Sequence, residues 1–566
     1  MESSAPLFSY AVIADTHLNQ GEDDCNSPFE VNRLANARLR YIVDDLNQRD
    51  ISHVIHLGDI VHPVPSMGDL YADSAARFHE QTAKLQHPIF IIPGNHDVGD
   101  KPIDWGPAGT VRQSFLDAWQ QYFGAHYFKH RHQGVVFVGI NAQVLGSGLP
   151  LEQEQNTWLH ETLQAHKSER IHLFTHYPPF LFDTDEEEHY DNLNEAARGD
   201  LLSLIDEYAV EALFAGHVHH FWYNRYRQCD CYLLPSTCFT RQDYSEMFRI
   251  GPAQEHGRND ADKLGYLLVH VFEDHQQIEM VRSYGNDAAV SSADKTGSGR
   301  ISAAPVNAKT NRFPAMGFDL RSDWCEKLQI PPSGGLDEFN RKWVRNDYGL
   351  LALWEMGIKH LRVPAADLLD LERAQRLRDL AHLGFRFTLY SFSHPSEQLL
   401  KAVENDTQLF DNWELGFQFD QLKTFDFTCF DRCKHQGVKI FASPLRSKDE
   451  IVSSGKKYYH VINHGFMLSD DYFDSSDSMF RQLESRSQFD GIVLRCSLND
   501  PINEMFALEA EINLRSSLKT IMHLRMTADN PAEAQVDEGR YCSRIAEAMF
   551  TRWADGGGPI FCDSFV

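Results

Sequence analysis

No apolar run in this 566-residue chain approaches the length of a membrane span, no cluster of lysines and arginines stands out, and the ten cysteines fall into neither a disulfide-like nor a zinc-finger spacing. The first absence argues against a helical membrane protein. The second, set against a formal charge of −28, argues against nucleic acid as a partner, because a polyanion meets repulsion from the whole-protein field unless a basic patch overrides it. The third points to reduced thiols and a cytoplasmic protein; Cys229-Asp230-Cys231 reads as two positions on one face of a strand. The opening Met-Glu-Ser-Ser-Ala-Pro has neither a basic start nor an apolar stretch, so no signal peptide is expected.

What remains is an ordinary globular composition, 42% hydrophobic, in a chain too long for a single core. Residues 8–284 alternate apolar, β-prone runs with helical stretches, enough for two sheets flanked by helices. Residues 286–312 are rich in Ser, Ala, Gly, Asp and Lys with almost no large apolar side chain, as a linker would be. Beyond them, strand-like runs recur at 358–363, 385–391, 413–419, 438–442, 459–463, 491–495, 519–525 and 559–563, separated by amphipathic stretches. Eight such strands with helical crossovers suggest a (β/α)8 barrel. The chain stops just after the eighth, and a helix at 347–356 is expected to cover the gap. The expected organisation is therefore α/β throughout, with an αββα sandwich over 1–285, a linker over 286–312 and a TIM-like barrel over 313–566.

Within the first part, five short segments each follow an apolar run, at 8–14, 54–57, 89–92, 171–174 and 212–215. They are Asp15-Thr16-His17, Gly58-Asp59, Gly94-Asn95-His96-Asp97, His176 and Gly216-His217-Val218-His219. A strand ending in a ligand-bearing loop puts that ligand at the carboxyl edge of a sheet, and five such edges make one cleft. Any one segment alone reads as a turn; five in series read as one site. Carboxylate, imidazole and amide oxygen without thiolate suit Mn, Fe, Zn or Co better than calcium. Two such ions side by side can bind the attacking and leaving oxygens of a phosphoryl displacement.

This D-x-H, G-D, G-N-H-D, H and G-H-x-H series resembles the signature of the calcineurin-like metallophosphoesterases, over roughly the first half of the chain. The resemblance implies an αββα metallophosphoesterase fold and two divalent or trivalent metal ions. Asp15, His17 and His219 would bind one metal and Asn95, His176 and His217 the other, with Asp59 bridging. His96 would stand beside the phosphoryl group as proton donor or charge stabiliser. A small anionic phosphoester, monoester or diester, would be attacked in line by a bridging hydroxide. His176-Tyr177-Pro178-Pro179-Phe180-Leu181, the acidic stretch 183–188 and Asn192-Leu193 are similar to the branch containing calcineurin-like phosphoesterase domain protein 1 and, more loosely, to the class III cyclic-nucleotide phosphodiesterases.

Other residues have plainer readings. Asp97 is expected to support a ligand rather than be one, and His53, His56, His62 and His220 to be structural. Residues 183–188 are expected to form a solvated loop at the cleft mouth. Arg241 and Tyr244 could contact substrate, Arg241 by forking onto a phosphate oxygen, while Phe221-Trp222-Tyr223 serve equally as pocket or core. In the barrel, Arg362, Ser391, His394, Asn463, His464, Arg495, Arg525 and Asp563 fall near strand ends, where a barrel's active site would be built. A second activity there, or a non-catalytic metal-binding scaffold, are the alternatives to a phosphoesterase.

Overall fold

The computed structural model describes residues 5–22, 24–103, 106–241, 254–287, 316–320, 324–330, 342–446, 464–526, 538–555 and 557–563. The chain divides into two compact units, Met1–Pro305 with Glu326–Glu355, and Val306–Cys325 with Met356–Val566. The stretch 326–355, expected in the C-terminal domain, thus belongs with the first unit.

The first unit holds two main sheets. One has the strands β1 (Phe8–Ile13), β2 (Val54–His56) and β3 (Ile89–Ile91) in parallel, and the other has β4 (Phe128–His132), β5 (Val135–Gly139), β6 (Arg170–Thr175), β7 (Ala212–Ala215), β8 (Trp222–Tyr226) and β9 (Cys229–Leu233) in the order β4-β5-β6-β7-β9-β8. The hairpin β10 (Gly265–Val271) and β11 (Gln276–Arg282) adds antiparallel to β1 and completes the first sheet. Period-two patterning explains the layering. On β1, Ala11 and Ile13 join a core with Leu39, Ile42, Val43 and Leu46 of α1 (Ala35–Leu46), Phe78 of α2 (Asp69–Thr82) and Trp119. On β5, β6 and β7, Val136, Val138, Ile171, Leu173 and Leu213 join Leu159, Leu163, Leu201 and Ile205 from the helices Pro150–Ala165 and Glu195–Glu207.

The alternate residues face the other sheet. Tyr10 on β1 meets Phe137, Phe174 and Phe214 edge-on at 5.0, 6.3 and 6.3 Å, and its hydroxyl is 2.8 Å from His172 Nδ1. An aromatic layer therefore separates two sheets, each covered by helices on its outer side, which is the αββα arrangement. In these two sheets, two strands escaped the sequence reading, β4 and β8. Both pair at an edge and carry polar residues where an apolar run would have marked them.

The second unit closes eight parallel strands into a barrel: β12 (Met316–Asp319), then, beyond the two-stranded β13 (Lys327–Gln329) and β14 (Trp343–Arg345) of the first unit, β15 (His360–Pro364), β16 (Arg386–Phe392), β17 (Phe410–Gln418), β18 (Lys439–Leu445), β19 (Gly491–Cys496), β20 (Lys519–Leu524) and β21 (Ile560–Cys562). The barrel begins one strand earlier than expected, at β12, which pairs with both β15 and β21. The run expected as a strand at 459–463, Asn463 included, lies outside the described residues. The helix Tyr348–Met356, expected to cover the barrel's gap, falls with the first unit up to Glu355. Among the described residues no helix is long and apolar enough to cross a membrane, and all ten cysteines are free thiols.

Candidate metal centre

Each segment leaves its strand at the carboxyl edge and turns at once. Asp15, His17, Asp59, His217 and His219 have φ values of 54°, 45°, 50°, 70° and 54°, a region that L residues enter at a cost of roughly 1–3 kcal/mol each. That conformation swings each side chain off the strand and into the cleft. The loops are laced to one another: the Asp15 and His17 amides donate to the carbonyls of Gly58 and Asp59 at 3.1 and 3.0 Å, and the Gly216 amide donates to that of His176 at 3.0 Å.

Glycine is required where the loops cross. A β-carbon on Gly94 would lie 2.1 Å from the Asp59 nitrogen, 2.2 Å from Asp59 Oδ1 and 2.8 Å from His176 Cε1. Gly58, at φ 98°, abuts Gly94 in the same way. We expect Gly94→Ala to lose bound metal by elemental analysis and to destabilise the first unit by about 1–3 kcal/mol in denaturant unfolding, as overpacked sites do. An unchanged metal content would show that the loops can part without harm.

The buried side chains form two groups that share one member. Ligand atoms of Asp15, His17, Asp59 and His219 lie within 4.8 Å of one another, as do those of Asp59, His176 and His217. In the first group His17 Nε2 is 3.1 Å from His219 Nε2 and 3.5 Å from Asp59 Oδ2, and His219 Nε2 is 3.3 Å from Asp15 Oδ1. In the second, His176 Nε2 is 3.4 Å from Asp59 Oδ1, and Asn95 Oδ1 is 3.0 Å from His176 Nε2 and 2.9 Å from His217 Nδ1.

The surroundings fix which atoms face inward. His176 and His219 donate through Nδ1 to the carbonyls of Leu57 and Phe239, at 2.9 and 2.8 Å, which turns their Nε2 atoms toward the cluster. Asn95 donates its amide to the Tyr190 hydroxyl at 3.3 Å, and Tyr190 in turn donates to Asp100 at 2.9 Å, so Asn95 Oδ1 is turned toward the imidazoles. Burial opposes charge throughout. It depresses His17 well below its usual value and opposes ionisation of Asp59, but His176 and His96 hold Asp59 well below the carboxylate range. His176, despite burial, is raised to about 9 by Asp59 beside it. Nitrogen and oxygen lone pairs converging at 3.0–3.5 Å are a donor set that two cations fit.

His96 stands at the rim. Its amide donates to Asp59 Oδ1 at 2.8 Å, its Nδ1 to the His62 carbonyl at 2.6 Å, and its ring lies 4.7 Å from that of His17. His62, expected to be structural, stacks on His96 at 5.1 Å and groups with His17 and His96, so it belongs to the site's wall. Asp97 accepts from the amides of Ile60, Val61 and Gly94, and burial with Asp59 nearby pushes it up to about 7. His53, His56 and His220 are buried against Tyr10, Thr16 and Trp222 respectively.

Arg241, expected to contact substrate, is held by a carboxylate of the protein. Its guanidinium pairs with Asp191, a fully buried carboxylate also bound by Lys342 and lying 3.3 Å from His217 Nε2. Burial opposes the charge of Asp191, but Arg241 and Lys342 hold it well below the usual range. Asp191 thus fixes the ring whose other nitrogen faces Asn95, a role that carboxylates commonly play beside metal-binding imidazoles. Sequence reasoning missed it: Lys342 is 151 residues away, and no local motif flags the Asp191 position. Tyr244 lies outside the described residues. In the acidic stretch Asp185, Glu187 and Glu188 are exposed, while Glu186 turns inward to accept from the amides of Leu181, Phe182 and Asp183, and the stretch lines a cavity of about 450 Å³ with Lys327, Lys342 and Trp343.

Residues 8–221 match the family described as calcineurin-like phosphoesterase. The chain is 32% identical over 171 residues to the mouse (Mus musculus) serine/threonine-protein phosphatase CPPED1, covering 29% of this chain and 51% of that protein, so it spans about half the length of this relative. It is 25% identical to a probable glycerophosphodiester phosphodiesterase, GpdQ, of Arcobacter nitrofigilis, over 37% of this chain and 70% of that one. Among solved structures, a dimetal phosphatase from Danio rerio aligns with 49% of this chain and 96% of its own, at 15% identity and a TM-score of 0.34. The N-terminal region of this chain is a calcineurin-like phosphoesterase domain.

Proposed function

We propose that the first unit is a metal-dependent hydrolase of small phosphoesters. The observation that carries this reading is the pair of buried donor groups sharing Asp59. In it, Asp15, His17 and His219 would hold one cation, Asn95, His176 and His217 the second, and Asp59 would serve both. Two cations there would supply Lewis acidity to the phosphoryl oxygens and acidify a water near neutral pH. The chain's own residues do the rest. Asp191 orients His217, Tyr190 orients Asn95, and the aromatic layer beneath keeps the floor dry.

His96, with Nδ1 tied to the His62 carbonyl, directs Nε2 away from that bond and serves the departing oxygen as proton donor. We expect His96→Ala to keep the metals but to slow hydrolysis by about 10²–10⁴-fold, most for basic leaving groups. Equal losses across a leaving-group series would give His96 an electrostatic role instead.

Both relatives' names concern phosphoesters, one a protein phosphatase and the other a phosphodiesterase, which supports the bond type and leaves monoester and diester as two arms of one assay. That assay compares chelated and metal-restored protein on mono- and bis-p-nitrophenyl phosphate. Metal-dependent turnover of either supports the reading, and none on both would leave a binding scaffold. An intact donor set speaks against a scaffold, and the charge of −28 against a nuclease. Ten free thiols suit the reducing environment of a cytoplasmic protein.

A further inference from the structure

The barrel interior changes character at one layer. Phe441, Val493, Ile521 and Phe561, on four successive strands, form an apolar cluster. Two positions further along the same strands, or just past their ends, come Ser443, Arg495, His523 and Asp563, on the same face and one layer nearer the carboxyl ends. All four are at most 5% exposed. A barrel core that served stability alone would continue in branched apolar side chains, since burying charge carries a desolvation cost.

The polar layer is organised. Arg362 donates to Asp319 at 3.0 Å and to Glu414 at 2.7 Å, and Glu414 is 2.9 Å from His523 Nε2. This chain links four strands across the barrel. The ring of His464 meets that of His523 edge-on at 5.0 Å, and its Nδ1 is held by the Ser443 hydroxyl at 2.8 Å. Arg525, just past β20, pairs with Asp563 at 3.0 Å. Asp319 Oδ1 is buried without a hydrogen-bond partner among the described residues.

Burial depresses His464 well below its usual value, and the neighbours that deepen this are all cationic or imidazole: His523, Arg362, Arg525 and Arg495. Three arginines thus act on one buried imidazole, with Asp319 and Glu414 beside Arg362 and Asp563 beside Arg525.

We propose that the carboxyl-end mouth of the barrel is a second small-molecule site, which takes a ligand bearing a carboxylate or phosphate group between Arg495, Arg525 and His464. The Asp319–Arg362–Glu414–His523 chain forms its floor. Guanidinium groups fork onto either anion, and strand ends are where barrels build their sites.

The test is calorimetric titration of the full chain with inorganic phosphate and, separately, with succinate, before and after metal chelation. One binding event should survive chelation, which sets it apart from the proposed metal centre. Binding of phosphate alone, succinate alone or both identifies the anion class, and each supports the site. Arg495→Met and Arg525→Met should each weaken that event by roughly tenfold or more, with metal-dependent hydrolysis of p-nitrophenyl phosphate unchanged. His464→Gln serves where an arginine replacement fails to fold by circular dichroism. No binding of either probe after chelation, or binding that persists in every folded variant, overturns the proposal.

Discussion

Asp59→Ala should lower bound metal below two per chain and abolish measurable hydrolysis, the largest single-residue effect expected in this chain. The carboxylate spans the two donor groups: Oδ2 lies 3.5 Å from His17 Nε2 and Oδ1 lies 3.4 Å from His176 Nε2. It also accepts the His96 amide at 2.8 Å, so its loss removes a ligand from each group and an anchor from the loop that carries His96 and Asn95. Asp59→Asn separates these roles, because an amide oxygen can still accept from His96 while the charge is gone. Elemental analysis should find fewer than two metals per chain in either variant, with hydrolysis lost in both. Two metals retained at near-normal turnover would take Asp59 out of the centre.

The candidate site was legible because its possible donors sit in short local motifs, each behind an apolar strand. Asp15-Thr16-His17 and Gly216-His217-Val218-His219 announce both the residue types and the turn that presents them, and the positive φ values at their donors are the structural counterpart of that spacing. The layers were legible for a similar reason, since Ile171-His172-Leu173-Phe174 alternates between helix-facing and sheet-facing positions. What escaped depends on contacts between distant segments. Asp191 is one carboxylate in an acidic neighbourhood until Lys342 and Arg241 are brought to it. The first barrel strand, Met316–Asp319, is four residues long and contains a glycine, too short for a periodic signal. A linker composition marks where the chain changes character, but not which unit the chain rejoins afterwards.

A fragment ending at residue 285 should therefore fail to fold into a stable metal-binding domain, although every candidate metal ligand lies before it. The missing piece is the stretch 326–355. Ile330 and Val344 belong to the core beneath the second sheet, with Leu213, Cys231 and Trp222. The Trp222 indole donates to the Arg345 carbonyl. The Arg345 guanidinium donates to the Tyr223 carbonyl and to Asn224 Oδ1, both at 2.9 Å, and pairs with Asp347, which accepts the Tyr223 amide at 3.0 Å. Removing the stretch would expose an apolar face of β8 and β9 and strip Lys342 from Asp191, leaving that buried carboxylate with less to balance its charge beside His217. In the full chain, Arg345→Met or Asp347→Ala isolates the same contacts. Leaving one partner of a buried, hydrogen-bonded pair behind typically costs about 3–5 kcal/mol. Denaturant unfolding followed by metal release should therefore show the first unit's transition moving to lower denaturant by that amount. A 1–285 fragment that is monomeric, unfolds cooperatively and binds two metals would show that the returning stretch is dispensable to the centre.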